Sequence, residues 1–242
     1  MVFVYIALVF FAIAPALWLI RNCIRKDLYP EPKGLIIKTA LIGVLIALPV
    51  FIFEIFLASV YYKSGLQSHF LWSLFFAFIV AGFTEETFKF IVLKKYCSVK
   101  SAFDEPMDAI VYSVMVSLGF ALFENILYVF QSASEGGVGA GLGVAALRAI
   151  TAVPAHASFG VVMGYYFSEQ MFLGKKESFL GYPKALYFPI LLHGSYNFLI
   201  LLGSAFSFLL FVPFFIYLLK MARRMHRQRI EEQKYTEVIH FN

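Results

Sequence analysis

Seven blocks of apolar residues, most of them long enough to cross a bilayer, succeed one another along this chain. They lie at about 2–20, 35–60, 70–94, 107–131, 143–168, 185–202 and 205–220. A crossing takes roughly 20 residues of helix. Backbone amides cannot stay unpaired in hydrocarbon, so open segments of this kind must be helical. The 242 residues are 61% hydrophobic and only 14% charged, too apolar for the surface of a soluble domain of that length. The prediction is an all-α, polytopic transmembrane bundle of about seven spans. The last two blocks are separated only by Gly203-Ser204 and are together too long for one span, so a tight hairpin is expected. Ala12-Ile13-Ala14 resembles a signal-cleavage site, but no basic residue precedes it and Pro15 follows directly. The first block is therefore read as a retained helix.

The basic residues alternate from one connection to the next. The first loop carries Arg21, Arg25, Lys26 and Lys33, the second only Lys63, and the third Lys94, Lys95 and Lys100. The fourth has none, the fifth has Lys175, Lys176 and Lys184, and the sixth again has none. Lys220, Arg223, Arg224, Arg227, Arg229 and Lys234 mark the tail. By the positive-inside rule the N-terminus faces outside and the C-terminus the cytoplasm of a cell membrane. Residues 1–222 read as a single transmembrane domain. Residues 223–242 read as a basic cytoplasmic tail, either a helix along the anionic inner leaflet or a stop-transfer flank. The fourth connection, "QSASEGGVGAG", is expected to be a flexible outer loop.

The net charge of +5 sits in loops and tail rather than in a stripe interleaved with exposed aromatics, so no nucleic-acid partner is expected. Two cysteines, Cys23 and Cys97, are too few for a disulfide framework and are read as free thiols.

Against this oily background a few polar side chains stand out. A charge at the bilayer centre costs about 2.5–3.5 kcal/mol on insertion scales, so it persists where it is paired or lines a wet cavity. In "AGFTEETFKFIVLKK" Glu85 lies four residues, and Glu86 three, before Lys89, so both share its side of a helix. One carboxylate suffices as the partner of the lysine. The second is expected to sit beside a like charge in low dielectric, an asymmetry suited to acid–base work. In the fourth block Phe120, Glu124 and Tyr128 share a face, with Asp108 and Tyr112 on a similar line. Glu124 has no basic neighbour on its own helix, and Asn125 can bond between helices. In the fifth block Arg148, Ala152, His156, Gly160 and Gly164 follow at four-residue spacing, the two glycines forming a small-residue contact face. In the sixth, His193 and Asn197 share a face, where an amide and an imidazole can hold an oxyanion. Four successive helices thus supply polar groups to one layer, which is expected to open outward.

The zincin pattern HExxH is absent, and no serine or cysteine stands in a nucleophile motif. Acids, imidazoles and an amide can activate water and steady an oxyanion, which makes a hydrolase. The same groups can bind Zn²⁺ through His156, His193 and either Glu85 or Glu124, with one position open for water. Lys89 competes electrostatically with such an ion, so a metal-free mechanism is favoured.

Glu85-Glu86-x-x-Lys89, Phe120-x-x-x-Glu124-Asn125, His156 before Gly160 and "HGSYN" at 193–197 resemble the motifs of the PrsW intramembrane proteases of bacteria. The connector "FDEPMDAIVY", 103–112, is similar as well. The resemblance spans about residues 70–202 in order and marks them as the catalytic core. It implies a four-helix core like that of the distantly related type II CAAX prenyl endopeptidases. It also implies a single-span anti-sigma factor as substrate, cut first on the extracytoplasmic side to start sigma-factor release in a stress response. By the same resemblance Glu85 or Glu86 is the catalytic base, with His156 and His193 as partners and Lys89, Glu124, Asn125 and Asn197 in support. Many relatives have Asp at the position of Asn197, and the CAAX-type relatives have His at that of Glu124.

Two other functions use the same residues. Buried acids and histidines also build proton- or ion-coupled transporters, although no inverted repeat is visible in this chain. A non-catalytic scaffold would recruit a membrane partner without cutting it, and the full set of acids and histidines argues against that loss of activity.

Overall fold

The structure, a computed structural model, describes residues 2–65, 68–172 and 183–240, with side chains over 3–65, 68–172 and 183–234. It is all helix, with no strand among the described residues. Helix α1 is Val2–Ile24 and α2 is Lys33–Lys63. The third rod, α3 (69–97), alternates α-helix (His69–Phe75, Thr84–Val92) with wider π turns (Phe76–Phe83, Leu93–Cys97). A long stretch, Pro106–Ile150, is broken at Gly137 into α4 (106–136) and α5 (138–150). Then come α6 (Ala152–Met171), α7 (Pro183–Leu201) and α8 (Ala205–His240). Helices α1, α2 and α8 and the α4–α6 stretch each contain a window long and apolar enough to cross a membrane. The chain is thus an all-α polytopic membrane protein.

Local sequence explains where the helices begin and turn. Pro106 opens α4 at a position where no intrahelical donor is lost. Glu105 and Asp108 form a capping box there, Asp108 Oδ2 accepting the backbone N–H groups of Asp104 and Glu105 at 2.8 Å each. The hairpin expected at Gly203-Ser204 is present. Gly203 adopts φ +60, and the Tyr196 ring of α7 packs at a tilt against Phe211 of α8, centroids 5.4 Å apart. Lys175 and Lys176 lie outside the described residues.

Two expectations are corrected. The stretch 131–141 is helical rather than a loop, because the chain reverses at one residue. Gly137 takes φ +80 and ψ 178, a conformation essentially reserved for glycine. The serines and alanines on either side then continue as helix. Second, the fifth block is not one rod. Thr151 leaves helical geometry (φ −120, ψ −73) between α5 and α6. Helix α5 folds back on the end of α4, where a Cβ on Gly141 would lie 2.8 Å from the Ala133 Cβ.

Helix α4 is the axis of the bundle, buried on every side from Met107 to Ala121. In lipid, helix association rests on close packing and interhelical hydrogen bonds rather than on removing apolar surface from water. The α4–α6 crossing illustrates this. A Cβ on Gly164 would fall 2.3 Å from the Ala109 carbonyl oxygen, and Ser113 Oγ donates to the Gly160 carbonyl at 2.6 Å. The small-residue face read from the sequence is the seam that seats α6, and with it His156, against α4.

Candidate active site

Four helices deliver charged and polar side chains to one buried layer. Glu85, Glu86 and Lys89 stand on the α-helical turn of α3 that follows its π segment. Interruptions of this type occur often at functional sites. Here the π segment carries Gly82, whose missing side chain lets α7 approach: a Cβ there would meet the Ile190 oxygen at 3.1 Å and the Gly194 nitrogen at 3.2 Å. Gly194 in turn makes room for the Phe78 ring, which a Cβ at that position would meet at 2.3 Å. This close crossing of α3 and α7 brings His193 onto the acid pair.

Lys89 is the hub. Its Nζ donates to Glu85 Oε2 at 3.0 Å and to Glu86 Oε1 at 2.8 Å, and lies 3.2 Å from His156 Nδ1. An ammonium has three protons and no lone pair, so all three are used. The Phe120 ring of α4 covers it at 4.4 Å. The expectation that one acid pairs with the lysine and the other stands apart is corrected: i+3 and i+4 spacing lets one ammonium reach both. The asymmetry between the acids lies elsewhere. Glu85 borders a cavity, whereas Glu86 is fully buried behind it and its Oε2 has no hydrogen-bond partner.

The lysine fixes one imidazole and Glu86 the other. His156 Nδ1 must accept from the ammonium, so its Nε2 carries the proton and donates to Glu124 Oε2 at 2.8 Å. His193 Nδ1 lies 2.9 Å from Glu86 Oε1 and donates to that carboxylate. Its Nε2 is left unprotonated, 3.9 Å from Glu85 Oε1. The two rings meet edge to face at 5.2 Å.

Glu124 finds the partner that its own helix lacks. Arg148 Nη2 on α5 donates to Glu124 Oε2 at 3.2 Å, and Arg148 Nε to Asn125 Oδ1 at 2.6 Å. Asn125 Nδ2 reaches the Ala12 carbonyl of α1 at 3.1 Å, so this side chain links three helices. The guanidinium covers the Tyr128 ring at 4.3 Å. Phe120, Glu124 and Tyr128 thus form one working stripe of α4, while Asp108 and Tyr112 end elsewhere, beside Glu31.

A cavity of about 290 Å³ opens beside the cluster, bordered by Glu85, Glu124, Arg148, His156, His193 and Asn197. Its wall continues to Ile200 and Leu201, toward the α7–α8 turn. One bordering acid was missed in the sequence, Glu54 of α2. Its Oε1 is buried without a partner, and it also borders a second cavity between α2 and α4. An acid inside "FIFEIFL" was the signal that could have found it.

Glu85, His156 and His193 each offer a ligand atom, all within 4.8 Å of one another. Two nitrogens and an oxygen are a donor set that zinc accepts. His193 is already arranged as a ligand, with Nε2 free and Nδ1 held by a carboxylate in the manner of an outer-shell pair. His156 would have to release its hydrogen bond to Lys89 or to Glu124. By donor type the trio fits a divalent transition-metal ion, and by position Lys89 competes with it.

Known proteins resemble this chain over most of its length. A family model described as "PrsW family intramembrane metalloprotease" matches residues 31–218. "Protease PrsW" of Oceanobacillus iheyensis is 36% identical over 213 residues, covering 85% of this chain and 88% of that protein. "Protease PrsW" of Bacillus subtilis is 33% identical over 213 residues, covering 88% and 90%. That of Clostridioides difficile is 32% identical over 198 residues, covering 81% and 80%. No solved structure matches significantly.

Proposed function

This chain belongs to the PrsW family of intramembrane proteases, and from that premise we propose that it makes the first, extracytoplasmic cut in a single-span anti-sigma factor, starting the regulated proteolysis that frees a sigma factor. The observation that carries this reading is the Glu85–Lys89–Glu86–His193 cluster at membrane depth, bordering a cavity. A transporter or a scaffold built on the same residues would leave its partner intact. Purified protein in detergent, given a tagged single-span substrate, is expected to release two fragments with the new terminus on the extracytoplasmic flank. Intact substrate after prolonged incubation would reject the protease reading.

Glu85 is the general base of this proposal because it borders the cavity, and Glu86 is a positioning residue because it does not. Glu85 takes a proton from a water that attacks the scissile carbonyl, then returns it to the leaving amine. The Asn197 amide donates to the oxyanion. His193 borders the same cavity with its bare Nε2 as an acceptor, placed to receive a hydrogen bond from the attacking water. Glu86 holds the Nδ1–H of His193 and thereby its tautomer. Lys89 offsets the charge of the carboxylates, and His156 ties the lysine to Glu124, with Asn125 and Arg148 anchoring Glu124 from the far side.

A second reading follows from the Glu85, His156 and His193 trio and from the family's description as metalloproteases. In it these three residues would hold a zinc-type ion, which supplies a bound water acidified toward neutrality. Elemental analysis of active enzyme, with chelation and add-back, separates the two. Activity that survives exhaustive chelation at negligible metal content supports Glu85 as base. Stoichiometric zinc whose removal abolishes cleavage, and whose return restores it, supports the trio as ligands.

The proposed setting is the bacterial plasma membrane, N-terminus outside and C-terminus cytoplasmic, with 1–222 as the membrane domain, 70–202 as its catalytic core and 223–242 as a cytoplasmic tail. Ser134 in the α4–α5 region and Ser101 before α4 are both exposed. With Cys23 and Cys97 replaced, an impermeant maleimide on intact cells should label Ser134→Cys and spare Ser101→Cys. Labelling of the second would overturn the orientation.

A further inference from the structure

A crevice of about 270 Å³ on the other side of the bundle, between α1, α4, α6 and α8, touches none of the residues of the candidate active site. Trp18 and Leu19 of α1, Val161 of α6 and Leu219 of α8 make its apolar wall. It runs from Trp18 along α1 to Lys26 just beyond that helix, and along α8 from Leu219 to His226, about 10 Å at the helical rise. Its composition changes over that length. At one end Pro154 and Ala157 of α6 meet the apolar wall. At the other stand Asn22, Lys26, Arg223 and His226. Lys26 and Arg223 are exposed, and neither forms an ion pair among the described residues.

We propose that this crevice binds one anionic glycerophospholipid, an acyl chain lying along Trp18, Val161 and Leu219 and the phosphate held by Lys26 and Arg223. Charge complementarity identifies the occupant. Two uncompensated cations converge where an apolar slot reaches the end of its helices, and basic pockets between spans suit anionic lipid headgroups. A free phosphate would use the cations and leave the apolar slot unfilled. Asn22 adds an amide donor beside the phosphate, and His226 a ring nitrogen on the facing helix. Because α1, α4, α6 and α8 all contribute, a bound lipid would fasten the first and last helices to the core.

The test titrates full-length protein in neutral detergent with phosphatidylglycerol, phosphatidylcholine or inorganic phosphate, reading lipid adducts by native mass spectrometry. One phosphatidylglycerol per chain is expected to bind saturably, with phosphatidylcholine at least fivefold weaker and inorganic phosphate unable to displace it. Lys26→Gln with Arg223→Gln should weaken binding at least fivefold. So should Ala157→Phe or Leu219→Trp, either of which fills the slot and leaves the cations in place. Arg25→Gln with Arg224→Gln removes two charges nearby that do not border the crevice, and should change binding less than twofold. Equal binding of phosphatidylcholine, equal loss in the Arg25/Arg224 pair, or full binding in a folded slot-filling variant would each overturn the proposal.

Discussion

Two regions of this protein bury clusters of acids, and they are compensated in opposite ways. In the mid-bundle layer, Glu85, Glu86 and Glu124 face Lys89 and Arg148, and each acid has a cation within 3.2 Å. At the end of the bundle that carries the α1–α2 loop, Asp27, Glu31, Glu105 and Asp108 gather with no lysine or arginine ion-paired to them among the described residues. Neutral donors serve instead. Tyr112 donates its hydroxyl to Glu31, and the Gln233 amide of α8 donates to Asp27 Oδ1 at 2.9 Å and to Glu105. Burial pushes the Asp27 and Glu31 carboxyls above their usual range and the Glu105 carboxyl up to about 7. The first cluster balances its carboxylates with cations beside a cavity, as acid–base chemistry requires. The second joins the α1–α2 loop, the start of α4 and the tail helix, and acts as a latch.

Removing the cation from the first cluster should have the largest effect. Lys89→Met leaves two buried carboxylates unpaired and His156 without its donor. Breaking a buried pair in this way costs about 3–5 kcal/mol, so both the yield of folded protein and its cleavage rate should collapse. Near-normal yield and activity, by fluorescence-detected size exclusion and fragment release, would show that the cluster does not need its hub. In the latch, Gln233→Ala removes two hydrogen bonds, worth about 1–2 kcal/mol together or a little more for charged acceptors. A lower Tm with cleavage retained is expected; loss of cleavage at unchanged Tm would move the latch into the catalytic machinery.

The smallest effect is a slope with pH. A carboxyl with a raised folded-state pKa binds its proton more readily in the folded chain than in the unfolded one. Its contribution to stability is complete below the unfolded value and is lost as pH rises through the folded value. For Glu105 that window runs from the ordinary glutamate value of 4.5 to about 7. The Tm of purified protein should therefore fall between about pH 4.5 and 7, and Glu105→Gln should flatten part of that fall. An unchanged slope in the variant would remove Glu105 from the latch.

Much of this was legible in the sequence. Apolar block lengths gave the helices, and helical spacing put Glu85 and Glu86 within reach of Lys89. The four-residue stripe gave the glycines that seat α6 on α4. What escaped depends on contacts across the chain. That one lysine serves both acids and His156 depends on α6 bringing the ring within 3.2 Å of Nζ. Arg148 was visible only as the first residue of a stripe; the reversal at Gly137 makes it the partner of Glu124. The latch joins residues 27, 31, 105 and 233, whose separations carry no periodic signal. The tail, read as either a surface helix or a frayed flank, continues α8 unbroken to His240. There it buries Arg229 against the Tyr165 ring at 4.3 Å.

The central claim is that Glu85 on α3 performs the chemistry with Glu86 positioning His193, and the most direct measurement compares cleavage by purified wild type, Glu85→Gln and Glu86→Gln. A glutamine keeps the shape and the hydrogen bonds of an acceptor oxygen but cannot carry a proton. With the same single-span substrate in the same detergent, each variant should elute as folded protein. Glu85→Gln should lose at least about 100-fold in kcat, the contribution of a general base. Glu86→Gln should also lose activity, through the misoriented His193. Wild-type cleavage rates in both folded variants would contradict the account.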